Sequence, residues 1–270
     1  MTVQNVAQFI ETYNLYKDDA VQHVQLQHRL ALVEAFDIQP GMHVLEIGCG
    51  QGDTTMILAD AVGEHGHVTA IDIASPDYGA PTTLGQAHAY IQQSSIGERM
   101  TFHLETDFLT FTPPADIDIV VLSHCSWYFA SREQLVAYFT RMHDMNVRVC
   151  VAEWDMAFTH LEQRSHFCAA SILALYSSFI DNDGNIQHVW SKEQLRSMVQ
   201  QAGFTLTHET IVDARFLQDG AWEKDYANYV APQFSVAPPP VQALVQTYYD
   251  VMNSTDDEAS LNSFVQAFST

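Results

Sequence analysis

Three glycines within five residues, Gly48, Gly50 and Gly52, follow the apolar run His43 to Ile47; Glu46 lies inside that run and Asp72 stands twenty residues beyond Gly52. Glycine reaches positive φ at little steric cost and lets backbone N–H groups approach a ligand closely, and a helix opening near Asp53 would aim its amino end at the same point. The spacing is G-x-G-x-G, which differs from the G-x-G-x-x-G of dinucleotide folds, and no lysine follows as a phosphate-binding loop requires. Glu46 would repel a pyrophosphate. An acid at the end of the second strand can accept bonds from ribose hydroxyls, so Asp72 points to a nucleoside. Two acids around the loop, without a cationic phosphate clamp, suit a nucleoside that carries positive charge at its other end.

S-Adenosylmethionine (SAM), with its sulfonium and ammonium groups, has that charge distribution. Methyl transfer from a sulfonium is an in-line displacement in which alignment and exclusion of water matter most, and a general base is needed only for a hard nucleophile. The segment Ser123-His-Cys-Ser-Trp-Tyr-Phe129 follows the fourth apolar run and offers His124 as the candidate catalytic base, beside Trp127 and Tyr128 as candidate walls for a small-molecule acceptor. Aromatic faces attract cations, yet aromatic residues after a strand also pack cores and a histidine there also serves as a structural side chain; both readings stand. Glu153, in Glu153-Trp154-Asp155, would reach an acceptor amine from the same edge or sit in a solvated turn. His65 with His67, and His160 with His166, lack the spacing and companion ligands of a metal site, so no metal is expected. Cys49, Cys125, Cys150 and Cys168 show no C-x-x-C spacing, and neither zinc nor disulfides are expected. No G-x-S-x-G elbow surrounds Ser123 or Ser126, which argues against a hydrolase.

These groups need a scaffold that gathers strand ends. Val21 to Phe36 has helical spacing, Pro40-Gly41 stops it, and His43 to Ile47 reads as a strand. Asp53-Thr54-Thr55 reads as an N-cap cluster for a helix over Met56 to Val62. Strands are expected over His67 to Ile73, Met100 to Glu105, Ile117 to Leu122, Val147 to Glu153 and Phe204 to Val212. Helices are expected over Gln86 to Gln93, from the box at Ser131 to His143, and from the box at Ser191 to Gln201. Strands that alternate with helices and run apolar throughout argue an α/β fold with a doubly wound, mostly parallel sheet. Ala157 to Asp181, and the Pro-rich Ala231 to Pro240 with helical patterns over Val241 to Met252 and Asp257 to Phe268, read either as a helical cap over the carboxyl edge of the sheet or as plain cover for the core.

Composition sets the partner class. Only 11 Lys plus Arg stand against 33 Asp plus Glu, a net charge of −22, which opposes binding to nucleic acid and stable association with anionic membrane. The 47% of hydrophobic residues exclude a disordered chain, and 270 residues are enough for a substantial core. No leader or membrane-spanning pattern is evident, so a cytoplasmic protein is expected, and a homodimer is compatible with the sequence.

The motifs Glu46-Ile-Gly-Cys-Gly-Gln-Gly52, His67-Val-Thr-Ala-Ile-Asp72, Glu105-Thr-Asp-Phe108 and Asp116-Ile-Asp-Ile-Val-Val-Leu-Ser123, in this order, resemble those of the class I SAM-dependent methyltransferases of small-molecule type. The resemblance spans roughly Asp37 to Ala214 and implies a Rossmann-like methyltransferase fold with a seven-stranded sheet. It implies one domain over residues 1–270, with a lid and helix in 1–36, a core in 37–214 carrying a cap insertion at 157–190, and a C-terminal extension in 215–270. By the same resemblance Glu46 holds the methionine ammonium, Gly48, Cys49 and Gly50 line the cofactor, Asp72 binds the ribose and Ile73 packs on the adenine. Asp107 accepts from the adenine amino group unless it caps a turn, Phe108 offers its backbone N–H, Ser123 sits near the methionine part, and Tyr16 belongs to the lid. The stretch Pro40-Gly-Met-His-Val-Leu-Glu-Ile-Gly-Cys-Gly50 is locally similar to cyclopropane fatty-acid synthases, although Gln51 stands where those carry an aromatic residue. The expected activity is methyl transfer from SAM, leaving S-adenosylhomocysteine (SAH). A SAM-binding sensor that transfers nothing, a fold member that uses the sulfonium only electrostatically, and lipid modification of the cyclopropane type are the rivals.

Overall fold

The computed structural model describes residues 5–114, 116–182 and 184–270, so the first four residues of the expected lid lie outside the described residues. The apolar runs form β1 (His43–Ile47), β2 (His67–Ile71), β3 (Met100–His103), β4 (Ile119–Ser123) and β5 (Arg148–Trp154), followed by β6 (Thr205–Val212) and β7 (Ser263–Ser269). Their order in the sheet is β3-β2-β1-β4-β5-β7-β6, parallel except for β7, which runs antiparallel to both neighbours. The chain moves to opposite sides of β1 to form β2 and β4, which opens a crevice at the carboxyl ends of β1 and β4 where this architecture binds ligands.

Helices α1 (Val6–Tyr13), α2 (Ala20–Phe36), α3 (Asp53–Val62) and α4 (Leu84–Gln92) share one core with the outer face of β1 and β2. The other core is built on α5 (Arg132–Asp144), α6 (Arg164–Ser177), α7 (Lys192–Gln201), α8 (Asp219–Val230) and α9 (Pro239–Met252). Local chemistry sets several boundaries. Asp19 caps α2, Ser131 caps α5, and full capping boxes open α4 at Thr83/Gln86 and α7 at Ser191/Gln194. Gly52, at φ +92°, is the N-cap of α3 and offers no side-chain bond, so Asp53 is the first helical residue and not the expected cap.

Two expectations are corrected. The stretch over Asp257 to Phe268 is not helical: Leu261 and Phe264 to Phe268 are buried, and the run pairs with strands on both sides as β7. A short apolar run buried on both faces carries no period that separates strand from helix. Residues 215–270, expected as a C-terminal extension, supply a strand inside the sheet together with α8 and α9. Helix α6, from the expected insertion, packs with α8 and α9, tied by Tyr249 Oη to Ala227 O (2.6 Å) and Ser165 Oγ to Met252 O (3.0 Å). Among the described residues, no helix is long and apolar enough to cross a membrane.

Candidate cofactor and acceptor site

Because β2 ends at Ile71, Asp72 and Ile73 fall in the loop at the strand's carboxyl end. Gly48 N and Cys49 N donate to Ile71 O at 2.9 and 3.2 Å, which folds the glycine turn over that end. Asp72 then holds two loops together, accepting from Gly50 N through Oδ2 and from Ala74 N through Oδ1, both at 2.9 Å. Gly48 has φ +74°, and a Cβ there would stand 2.5 Å from Cys125 Cβ, so this position accepts only glycine; a Cβ on Gly50 would meet nothing within 4 Å, which leaves that backbone open to a ligand. His88, which carries no sequence signature, also belongs to this edge. Its Nε2 lies 2.7 Å from Gly50 O and its ring stacks on Phe102 at 3.7 Å, so it clamps the turn from α4, and nothing in the spacing of a lone helical histidine announces this.

Beneath the turn, Glu46 is buried at 1% exposure and accepts from Thr55 Oγ1 at 2.5 Å. Burial pushes its carboxyl up to about 8, opposed by the Thr55 bond and the Arg29 charge and assisted by Asp53 and Asp72. A buried acid without a cationic contact of its own is the group that a ligand ammonium would compensate. Ile73 remains 67% exposed, an apolar surface with no protein cover. Ser123 Oγ is buried with no hydrogen-bond partner among the described residues. The open Gly50 backbone, Asp72 and the exposed Ile73 have the chemistry that SAM needs, whereas Glu46 and Ser123 are buried and do not line the cavity at this edge.

A cavity of about 530 Å³ opens at this edge. Gly48, Asp72, Ile73 and Phe108 line one side, Tyr128 and Phe129 the next, and Asp181 and Gln187 the cap side. Asp107 enters indirectly: Oδ1 accepts from Tyr138 Oη (2.6 Å), a cavity residue, and from Leu109 N (2.9 Å), so it does cap its turn. Tyr16 does not line this cavity. It sits at φ +53° in a separate cleft with Gln51 and Thr82, its N–H donating to Tyr90 Oη at 3.0 Å. Cys49 is also buried away from the cavity, which Cys125 lines instead.

The acceptor-side expectations separate. Tyr128 lines the cavity, 48% exposed. Trp127 does not: its indole is 2% exposed inside the core, and its carbonyl anchors the cap by accepting from Gln187 N (2.8 Å) and His188 N (3.1 Å). Glu153 is neither in a solvated turn nor at the cavity, being 1% exposed and accepting from Ser126 N (3.1 Å), Ser126 Oγ (2.7 Å) and Trp154 N (3.0 Å). His124 is turned inward, away from the cavity wall. Its Nδ1 stands 3.3 Å from Glu153 Oε1, at ion-pair range though off the line of a hydrogen bond, and its Nε2 lies 3.0 Å from Ser263 Oγ. Ser263 Oγ also meets His28 Nε2 at 2.9 Å, and His28 Nδ1 meets Arg29 Nη1 at 2.9 Å. Arginine can only donate and Glu153 is already a triple acceptor, so the proton order follows: Arg29 gives to His28, His28 to Ser263, Ser263 to His124 Nε2, and the remaining His124 proton faces Glu153. Burial, with Arg29 and His124 nearby, lowers the pKa of His28, consistent with its neutral form in this chain. The relay joins α2, β7, β4 and β5 and was invisible in the sequence because its members lie up to 235 residues apart.

A methyltransferase-domain family model matches residues 44–146, and the model of protein-L-isoaspartate(D-aspartate) O-methyltransferases matches 9–78. The chain is 32% identical over 156 residues to methyltransferase phomM of Diaporthe leptostromiformis, a match that covers 50% of this chain and 40% of that relative; it thus spans well under half of the length of that relative. The crystal structure of a cyclopropane-fatty-acyl-phospholipid synthase-like protein from Lactobacillus casei ATCC 334 superposes with a TM-score of 0.88 at 36% identity, over 98% of both chains. The chain belongs to the class I SAM-dependent methyltransferases. The similarity to cyclopropane synthase-like proteins, local in the motif over Pro40 to Gly50, thus extends along the whole chain. A methyltransferase of this class uses SAM, and the mycolic acid cyclopropane synthase CmaA1, solved with SAH and CTAB, shares the fold at a TM-score of 0.56 and 16% identity, covering 96% of this chain and 89% of that one.

Proposed function

We propose that this methyltransferase moves the methyl group of SAM by in-line displacement to a small organic acceptor held between the cofactor wall and the cap. The observation that carries the reading is the cavity of about 530 Å³, a volume typical of small-ligand sites, which has motif residues on one side and cap residues on the other. Bound SAM supplies an electrophilic methyl on a sulfonium. Glu46 would compensate the ammonium, Asp72 would hold the ribose, Ile73 would cover one adenine face, and the Gly48 and Gly50 backbone would bring the cofactor close to the sheet edge. Phe108 and Asp107 would bound the adenine, Asp107 through Tyr138. His124 is assigned as a positioning residue: its Nε2 meets Ser263 Oγ, its Nδ1 stands beside Glu153, and its left-handed backbone at φ +52° makes the turn that leads to Cys125 in the cavity lining. Tyr128 takes the acceptor-wall role expected for the Trp127–Tyr128 pair. The test is release of SAH over a panel of small acceptors, with an unsaturated phospholipid included. Turnover with a small acceptor supports the reading; tight SAM binding without SAH release for any member favours the sensor, and turnover of the phospholipid alone favours lipid modification.

A further inference from the structure

The part of the cavity beyond the cofactor motifs has a definite electrostatic character. Tyr128 and Phe129 line this part with aromatic side chains, and Asp181 borders it on the cap side with Asn182 and Gln187 beside it. Among the described lining residues the charged side chains are Asp72 and Asp181, and none is Lys, Arg or His. Asp72 is already drawn toward the glycine turn, which leaves Asp181, an exposed carboxylate of the lining, as the charge beside the acceptor region. A concave, low-dielectric wall focuses the field of its charges, and the chain as a whole carries −22, so the potential in this space is negative. The wall also lacks an imidazole, because His124 is turned into the relay with Ser263 and Glu153. Tyr128 is no substitute base at neutral pH, since a phenol ordinarily holds its proton up to about pH 10. An alcohol acceptor would have to use Asp181, the uncommitted carboxylate of the lining, as its base, whereas the lone pair of a neutral amine needs none in the transfer step.

We infer that the acceptor is an organic amine with a compact apolar body, and that the cavity beside Tyr128 and Asp181 is built to hold it as a cation. The inference rests on the methyl-transfer reading above and specifies its acceptor. In the transfer step the lone pair of a neutral amine nitrogen forms the new C–N bond as the C–S bond breaks, the C–S electron pair stays on sulfur, and the positive charge passes from sulfur to nitrogen. Any proton that the amine carried is lost to water before the step. Positive charge is therefore present in the cavity before and after transfer. The aromatic faces stabilise it by cation–π attraction and Asp181 by its carboxylate.

The test uses three isosteric probes on SAH-saturated protein: choline, its neutral carbon isostere 3,3-dimethylbutan-1-ol, and the anion 3,3-dimethylbutanoate. None of the three can be methylated on an amine. Calorimetric titration should find choline bound at least tenfold more tightly than the neutral isostere and no measurable binding of the anion. Asp181→Asn and Tyr128→Leu should each reduce the preference for choline over the isostere threefold or more, with SAH affinity unchanged. Equal or tighter binding of the isostere or the anion would overturn the inference, as would failure of all three to bind a protein that binds SAH. Failure of SAH itself to bind would overturn the methyl-transfer reading first, and that outcome is distinct.

Discussion

Replacing Glu46 by Gln removes the ionisable group that burial holds neutral, while the amide oxygen can still accept from Thr55 Oγ1. The carboxyl is pushed from 4.5 to about 8, chiefly by burial. At about 1.4 kcal/mol per pH unit this interval corresponds to roughly 5 kcal/mol by which ionised Glu46 disfavours the folded state. Between pH 4.5 and 8 the unfolded chain ionises at this residue and the folded one does not. The folded state then binds more protons, and stability falls as pH rises through that window. His28, whose pKa is lowered, acts with the opposite sign: its contribution is lost as pH falls below about 6.5. The difference between wild type and Glu46→Gln isolates the Glu46 effect. Urea unfolding at pH 5.5 and pH 8 should find the variant gaining on wild type by about 3 kcal/mol across that interval. Binding gives a second readout. With a pKa near 8, Glu46 is about nine-tenths protonated at pH 7, so pairing with the SAM ammonium should release about 0.9 proton, measured by titration calorimetry in buffers of different ionisation enthalpy. Parallel stability profiles for the two proteins, together with SAM binding that releases no proton, would refute the assignment of Glu46 as the buried acid awaiting a cation.

Three further outcomes follow from the geometry. Gly48→Ala should lose about 2 kcal/mol or more of stability and most of the SAM affinity, because the new Cβ meets Cys125 Cβ at 2.5 Å from a backbone at φ +74°; urea midpoints and SAM titration check it. Asp72→Ala should weaken SAM binding by about 100-fold or more with the circular dichroism spectrum unchanged, since two loop N–H groups and the ribose lose one shared acceptor. Ser263→Ala should cost about 2 to 3 kcal/mol by leaving two buried imidazole nitrogens unpaired, and Ser263→Thr should restore most of it, again by urea unfolding.

The cofactor half was legible because it is local. Strand β1, the glycine turn, α3, β2 and Asp72 lie within 30 consecutive residues, and each carries its own signature of apolar run, positive-φ residue or strand-end acid. The acceptor half was not, because its parts are assembled from distant segments. Asp181 and Gln187 reach the cavity from the cap, and the cap itself depends on α8, whose buried face is Gly220, Glu223, Ala227 and Val230 and shows little apolar stripe. Trp127 and Tyr128 are adjacent in sequence, yet the short 3₁₀ turn over Ser126–Tyr128 sends one into the core and the other to the cavity, a division that composition does not encode. His124 and Glu153 stand at the strand ends as expected, but Ser263, the partner of His124, could not be identified while 257–268 read as helix, and Ser126 meets Glu153, 27 residues away, only through the pairing of two strands.

A SAM site at the edge of β1, β2 and β4 is open to direct measurement. Calorimetric titration of the purified, ligand-free protein with SAM and, separately, with SAH tests it without any knowledge of the acceptor. Saturable one-to-one binding of both, abolished by Asp72→Ala, is the predicted result. A folded protein that binds neither would contradict the account, and the methyl-transfer reading would fall with it.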